Sequence, residues 1–494
     1  MLGMQNEGEE RVMRARGRYL FRSGLIAAVG ALTAGAAGYA VPAVAAPHPA
    51  HVAAPTGVSA EAALSTPELN KTGTALEVIR QIVQCGNTMY AVGKFTSISQ
   101  GGAVFSRDNI FSFTAAAPYK VSSWAPNVNG EVNSIAFNGS NCADAYIGGQ
   151  FTSVNGKAAK NIAEIDTTTG GVVPAFGANA SNTVYTLLAV KGHLLAGGFF
   201  SFINGTKNPY LASLNPATGK DDGFVHLNIS GTYHFCAKGG SPCTPAGNRS
   251  QVYNQQLSHN GTLDLVEGRF TSVGGLARQQ IFMLDLSGSK ATVTGWTSPE
   301  WDGSNPTADP YFECWPTTAF YIRAAAWSPG DSRVYIATTG YHPAQNLQTG
   351  LKPRTGLCDA VAAFPATPAS VTHTWIEYSG CDSYYSVAAD AAAVYAAGDP
   401  RWADNSSGCN EQGAGAVPDE GMAGLDPATG TAARNTGGTG LYTMTRANAD
   451  GMLITGAGLW IGSTNRYTVN KCGDLTGPPG HNSADHAGIC LLPY

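Results

Sequence analysis

One phrase recurs seven times between Ala75 and Tyr494, at a period of roughly 50–70 residues that restricts the chain to repeat architectures. The clearest copy reads Gly148-Gly149-Gln150-Phe151-Thr152-Ser153-Val154-Asn155-Gly156, then Asn161-Ile162-Ala163-Glu164-Ile165-Asp166 and Thr169-Gly170. An alternating stretch precedes each copy, as in Val132-Asn133-Ser134-Ile135 or Val184-Tyr185-Thr186-Leu187, and alternation is the mark of a half-buried strand. After most copies comes another strand, such as Tyr210-Leu211-Ala212-Ser213-Leu214, ending in Asp or Asn and a Thr-Gly turn. A fourth follows that turn, as in Val172-Val173-Pro174-Ala175-Phe176. The 61 glycines and the low charged fraction of 13% suit short strands and tight turns, and no long amphipathic pattern competes.

Four antiparallel strands per unit and seven units predict an all-β, seven-bladed β-propeller of four-stranded antiparallel blades. A sheet apolar on both faces buries them only between neighbours, so the units are expected to close into a ring. The apolar-Gly-x-Phe segment recurs as Val92-Gly93-Lys94-Phe95, Gly148-Gly149-Gln150-Phe151, Gly197-Gly198-Phe199-Phe200 and Glu267-Gly268-Arg269-Phe270, with divergent copies at 337–341, 397–400 and 455–458. Its glycines are expected to let strand two bend, and its Phe to anchor the following turn between blades. The last segment, Ile489-Cys490-Leu491-Leu492, aligns with a third strand. Residues 64–70, just ahead of the first unit, are therefore expected to supply the N-terminal strand that closes the last blade.

The phrase Gly-Gly-x-Phe-Thr-Ser-Val-Asn-Gly followed by Asn-Ile-Ala and Asp-x-x-Thr-Gly resembles the delta-sixty-type repeat of secreted bacterial β-propellers. The match is best at Gly148 to Gly156 with Asn161 to Gly170, good at Gly197 to Gly205 and Gly268 to Gly275, and reduced to Phe95-Thr96-Ser97 in the first unit. The resemblance covers about residues 65–494 and implies a propeller in an extracellular setting; it carries over no catalytic residues. The architecture is also similar to kelch and galactose-oxidase propellers, although no residue here establishes a copper site.

The N-terminus reads as an export signal over residues 1–45. Arg11, Arg14, Arg16, Arg18 and Arg22 precede an apolar run from Leu25 to Val44, and Ala43-Val44-Ala45 fits small-residue cleavage. Membrane association is expected only if that segment stays uncleaved. Residues 46–63 read as a flexible leader and 64–494 as the propeller. Ten cysteines in an exported chain predict disulfides, with Cys236–Cys243, Cys472–Cys490 and Cys85–Cys142 as the favoured pairs. The net charge of -5 and the absence of a Lys/Arg stripe after the export segment argue against a nucleic-acid partner. No cofactor or metal motif is present, and no nucleophile elbow or phosphate loop.

Insertions carry the functional signal. Loops 228–250, 296–320, 341–357, 399–417 and 459–488 exceed the repeat minimum, and antiparallel geometry places all five on one rim. Within them Trp296, Trp301, Tyr311, Trp315, His342, Arg401, Trp402 and Trp460 are candidate ligand contacts, with inter-blade packing as the competing reading of the indoles. Asp302, Asp309 and Glu313 are weak candidates for an acid/base pair, whose separation the sequence does not give. His342 reads as a base or metal ligand or as a solvated loop residue, and the cluster His481, Asp485 and His486, whose spacing suits a metal, reads as an exposed polar loop. On the first strands Arg80, Ser134, Thr186, Asn254, Arg323, Ser386 and Thr443 form a polar column, read as the lining of a central channel. The combined expectation is a secreted, disulfide-stabilised propeller that binds an extracellular glycan or protein through one rim. The alternatives are a polysaccharide lyase or hydrolase using the same rim, and a structural envelope protein.

Overall fold

Each repeat folds into an antiparallel meander, and the turn chemistry shows why. In the computed structural model, residues 57–63, 65–69, 76–233, 250–301, 320–340, 356–367, 369–442, 449–465 and 488–494 are described; all fall in the unit Val52–Tyr494. Among them every regular element is a strand and no helix occurs.

Seven meander sheets follow one another in chain order among the described residues. Sheet one is Val78–Cys85, Thr88–Lys94 and Ile110–Thr114; sheet two is Glu131–Ala136, Asp144–Gln150 and Ile162–Asp166. Sheet three is Val184–Val190, His193–Gly198 and Leu211–Leu214; sheet four is Gln251–Leu257, Leu263–Arg269, Ile281–Asp285 and Thr292–Val293. Sheet five is Ile322–Trp327, Arg333–Thr338, Ala360–Pro365 and Trp375–Tyr378. Sheet six is Tyr384–Ala389, Val394–Gly398 and Met422–Leu425; sheet seven is Gly451–Thr455, Gly458–Gly462 and Ile489–Pro493. The fourth strand is regular only in sheets four and five. In sheets one, two, three and six it shrinks to one bridge, such as Ile165 with Val172 or Leu214 with Asp221, where Pro174 and Gly223 interrupt the edge.

The Asp-x-x-Thr-Gly ending is a side-chain-capped turn. Asp166 Oδ1 accepts the amides of Thr168 and Thr169, and Gly170 takes a φ of 72° that a side chain would resist. Asn215 and Asp426 repeat the arrangement with Gly219 and Gly430. The Thr-Ser-Val-Asn-Gly segment forms a small hairpin, Ser153–Val154 with Lys157–Ala158, across a turn in which Asn155 and Gly156 both have positive φ. Asn204-Gly205, Gly274-Gly275 and Gly101-Gly102 turn the equivalent hairpins of sheets three, four and one. Phe95, Phe151, Phe200 and Phe270 are buried just ahead of these hairpins, as expected of anchors.

Each hairpin also pairs with the connection arriving from the preceding sheet, through Val128 to Val154, Ala180 to Ile203 and Ile229–Ser230 to Ser272–Val273. In sheet one that place is taken by Glu68–Leu69, which pairs with Ser97–Gln100. Residues 64–70, expected beside the last strand, therefore serve at Glu68–Leu69 as a connector. The backbone bonds to the last strand come from just upstream, Ser59 N to Pro493 O and Ala63 N to Leu491 O, at 2.8 Å for the second. Packing explains the shift: Val58 and Ala62 join the apolar cluster of Leu459, Ile461 and Leu492, while Leu69 sits with Ile79, Ile98 and Leu491. The strand Val78–Cys85 contacts both Glu131–Ala136 and Gly451–Thr455, and Ile79 N donates to Ser463 O across the first and last sheets.

Candidate functional site

A single backbone device repeats on the first strands and determines which side chains reach solvent there. Sheets one to six each carry a β-bulge two or three residues into the first strand, skipping Arg80, Asn133, Tyr185, Tyr253, Arg323 and Tyr385. Opposite the bulge stands Gly93, Gly149, Gly198, Gly268 or Gly398, and Thr338 in sheet five. A Cβ on Gly149 would overlap the Glu131 carbonyl oxygen, so the second glycine of the repeat is the space into which the bulged strand leans.

The bulge moves the side-chain alternation by one residue. Arg80 and Arg323 of the polar column are bulge residues and partly exposed, but Ser134, Thr186 and Ser386 lie one place later and are buried. Their neighbours Asn133, Tyr185 and Tyr385 take the partly exposed places, as Tyr253 does beside Asn254. Polar side chains here cap the next sheet's first strand: buried Ser134 Oγ accepts Leu187 N at 3.0 Å, and the partly buried Gln81 Oε1 accepts Ile135 N at 2.7 Å. Glu267, where sheets one to three, five and six have Val, Gly or Ala, accepts from the amide of Ala325. Thr443 lies outside the described residues.

The bulge side chains form a row bridging adjacent sheets. Arg80 Nε meets Glu131 Oε1 at 2.8 Å and its Nη1 meets Asp450 Oδ2 at 2.7 Å, tying sheets one, two and seven. Burial opposes the charge on Arg80, but the carboxylates of Asp450 and Glu131 outweigh it and hold the guanidinium above its ordinary value. Asn133 Nδ2 donates to Val184 O at 2.9 Å, and the Tyr253 hydroxyl donates to Ile322 O. Arg269, the variable residue of Gly-x-Phe in sheet four, lies 4.9 Å over the ring of Tyr321. Arg323 lies 5.2 Å over that of Tyr385. Neither Arg269 nor Arg323 has a carboxylate partner among the described residues. Burial and the nearby Glu267 raise the Tyr253 hydroxyl, against the pull of Arg323 and Arg269. Burial likewise pushes Glu267 up to about 8, opposed by contacts from Asn254 and the Ala325 amide, which favours its uncharged form.

The aromatic candidates fall elsewhere. Trp301 is fully buried against Trp296 and Phe364, and Trp296 donates its indole N–H to Pro365 O at 2.9 Å. Trp375 makes the same bond to Pro427 O, so these indoles lock one sheet to the turn of the next. Trp460 is fully buried beside Phe113 and Tyr119. Packing between sheets, the competing reading, accounts for all three, since none offers a ring face to solvent. Arg401 stacks on the partly exposed Trp402 at 4.4 Å and is held by both oxygens of Asp382 and by Asn410. The Cys381–Cys409 disulfide staples that loop. Tyr311, Trp315, His342, Asp302, Asp309, Glu313, His481, Asp485 and His486 lie outside the described residues.

Cys85–Cys142 joins the first turns of sheets one and two, as the sequence predicts. Cys490 is in a disulfide, while Cys236, Cys243 and Cys472 lie outside the described residues. A second polar cluster, buried Glu377, Asp419 and Tyr384 with Asp404, lies between sheets five and six. Among the described residues no three His, Cys, Asp or Glu side chains are placed to hold a metal ion.

Sequence reasoning missed Asn133, Tyr185, Tyr253, Tyr385 and Arg269. The glycine pair was the available signal: a close-approach glycine on strand two implies a bulge on strand one, and with it a shifted alternation.

No family model matches the chain, and no curated protein does. Among solved structures the chain is similar to U3-55K, with 9% identity over 89% of this chain and 100% of the other and a TM-score of 0.45. It is similar to the WD40 β-propeller domain of Doa1, with 10% identity over 81% and 93% and a TM-score of 0.38. It is also similar to the extracellular domain of a hybrid two-component system from B. thetaiotaomicron, with 10% identity over 87% and 40% and a TM-score of 0.41. Likenesses this distant say nothing of function.

Proposed function

We propose that the chain is a secreted, disulfide-stabilised, seven-bladed β-propeller that binds an extracellular glycan at the end of the ring where its hairpins lie. Closure is supported by the contacts between the first and last sheets and by residues 59–63, which stand beside Ile489–Pro493 where an outer strand belongs. Export, with removal of residues 1–45, is supported by the basic-then-apolar N-terminus and by the disulfides.

The observation that carries binding is the row of bulge side chains. Six successive strands present Arg, Asn, Tyr, Tyr, Arg and Tyr at one register, partly exposed, on a rigid sheet framework. Phenol rings offer flat faces to sugar C–H groups, while amide, hydroxyl and guanidinium groups answer sugar hydroxyls. A side chain held on a bulge loses little freedom on binding, which favours affinity.

The test is a saccharide array probed with the exported, oxidised protein, beside Tyr185→Ala and Asn133→Ala, with products assayed for new reducing ends and unsaturated sugars. Retention of a saccharide by the native chain, at least tenfold weaker in both variants at unchanged melting temperature, is expected. Failure to retain any saccharide refutes the function, and equal retention by both variants refutes the site.

A further inference from the structure

Arg269 and Arg323 stand out from every other charge near the bulge row. Glu131 and Asp450 are both committed to Arg80, and burial favours the uncharged form of Glu267. Among the described residues, the remaining titratable groups facing the pair are the phenols Tyr185, Tyr253, Tyr321 and Tyr385. Among the described residues, then, no charged carboxylate is paired with either guanidinium, and both act on the one Tyr253 hydroxyl. Their planes are steadied on tyrosine rings. A stacked guanidinium still has N–H edges free for a paired anionic oxygen, the bidentate geometry in which arginine excels.

We infer that Arg269 and Arg323 form an anion subsite that accepts the carboxylate or sulfate of an acidic saccharide, with Tyr253 between them. The inference rests on the bulge row being the glycan face, and it names the class of glycan. A saccharide is favoured over an acidic peptide because the rest of the row, with Asn133 and Tyr185, supplies polar groups and a ring face, while the row contains no aliphatic side chain. Arg269 occupies the position filled by Lys94, Gln150 and Phe199 in the first three repeats, so local folding does not require arginine there.

The probes are oligogalacturonate, its methyl ester, a sulfated oligosaccharide, a neutral glucan oligomer and polyglutamate, titrated against the exported protein, Arg269→Gln, Arg323→Gln and the charge-keeping Arg269→Lys and Arg323→Lys. Expected is binding of oligogalacturonate or the sulfated oligomer, at least tenfold weaker in each Gln variant, intermediate in the Lys variants, and weakened by high salt. Comparison of the two acidic probes identifies carboxylate or sulfate as the anion. If the methyl ester or the glucan binds as well as the acid, the subsite is refuted while the glycan face stands. Equal binding of polyglutamate refutes the saccharide assignment, and no binding by any sugar refutes both readings. A variant with a lowered melting temperature is judged by its Lys counterpart, which must still bind between native and Gln levels.

Discussion

Replacing Glu267 by Gln tests the reasoning behind the bulge row most directly. The side chain is fully buried at the boundary of sheets four and five, accepts the Ala325 amide and lies 3.4 Å from Asn254 Nδ2. Burial pushes its ionisation up to about 8 from an ordinary value of 4.5. A carboxyl group raised in the folded state stabilises the fold fully below the unfolded value and loses that contribution as pH rises through the folded one. At about 1.4 kcal/mol per pH unit, the interval from 4.5 to about 8 corresponds to on the order of 5 kcal/mol. Glutamine keeps an acceptor for Ala325 and has no charge to bury. The two proteins should match near pH 4.5, and the variant should be more stable by several kcal/mol at pH 9. Asp264, on the same strand, is raised by burial and then by Glu267, so its relief in the variant has the same sign. Chemical denaturation with intact disulfides from pH 4.5 to 9 measures the difference. Parallel stability profiles would refute the placement of Glu267 as a buried, uncharged acceptor.

Gly149→Ala should destabilise by about 1–3 kcal/mol, because its Cβ would overlap the Glu131 carbonyl at the bulge, and thermal unfolding reads this directly. Trp301→Ala should cost about 3–5 kcal/mol through the cavity left against Trp296 and Phe364, measured by denaturation. Saccharide affinity of the folded Trp301→Ala protein should be unchanged, since the indole is wholly buried. The pair Cys85→Ser and Cys142→Ser should lower stability by about 2–4 kcal/mol by releasing a 57-residue separation, again by denaturation.

Local features were readable without coordinates. Asp166 with Gly170, Asn155 with Gly156 and the buried Phe151 behave as their residue types require, because each turn or anchor is completed within a few residues. The joining of Cys85 to Cys142 was readable as well, from equivalent turns in successive repeats. The polar column came out one residue astray in four of its members because a bulge breaks the period of two on which such readings depend. Only tertiary structure could show that Trp296, Trp301 and Trp460 are enclosed, since their neighbours come from other repeats. It alone also showed that, among the described residues, Arg80 holds two carboxylates while Arg269 and Arg323 hold none, because charge pairing is decided between sheets far apart in the chain. The repeat thus dictated the strands and turns, and packing of sheet on sheet decided which side chains remained free to meet a ligand.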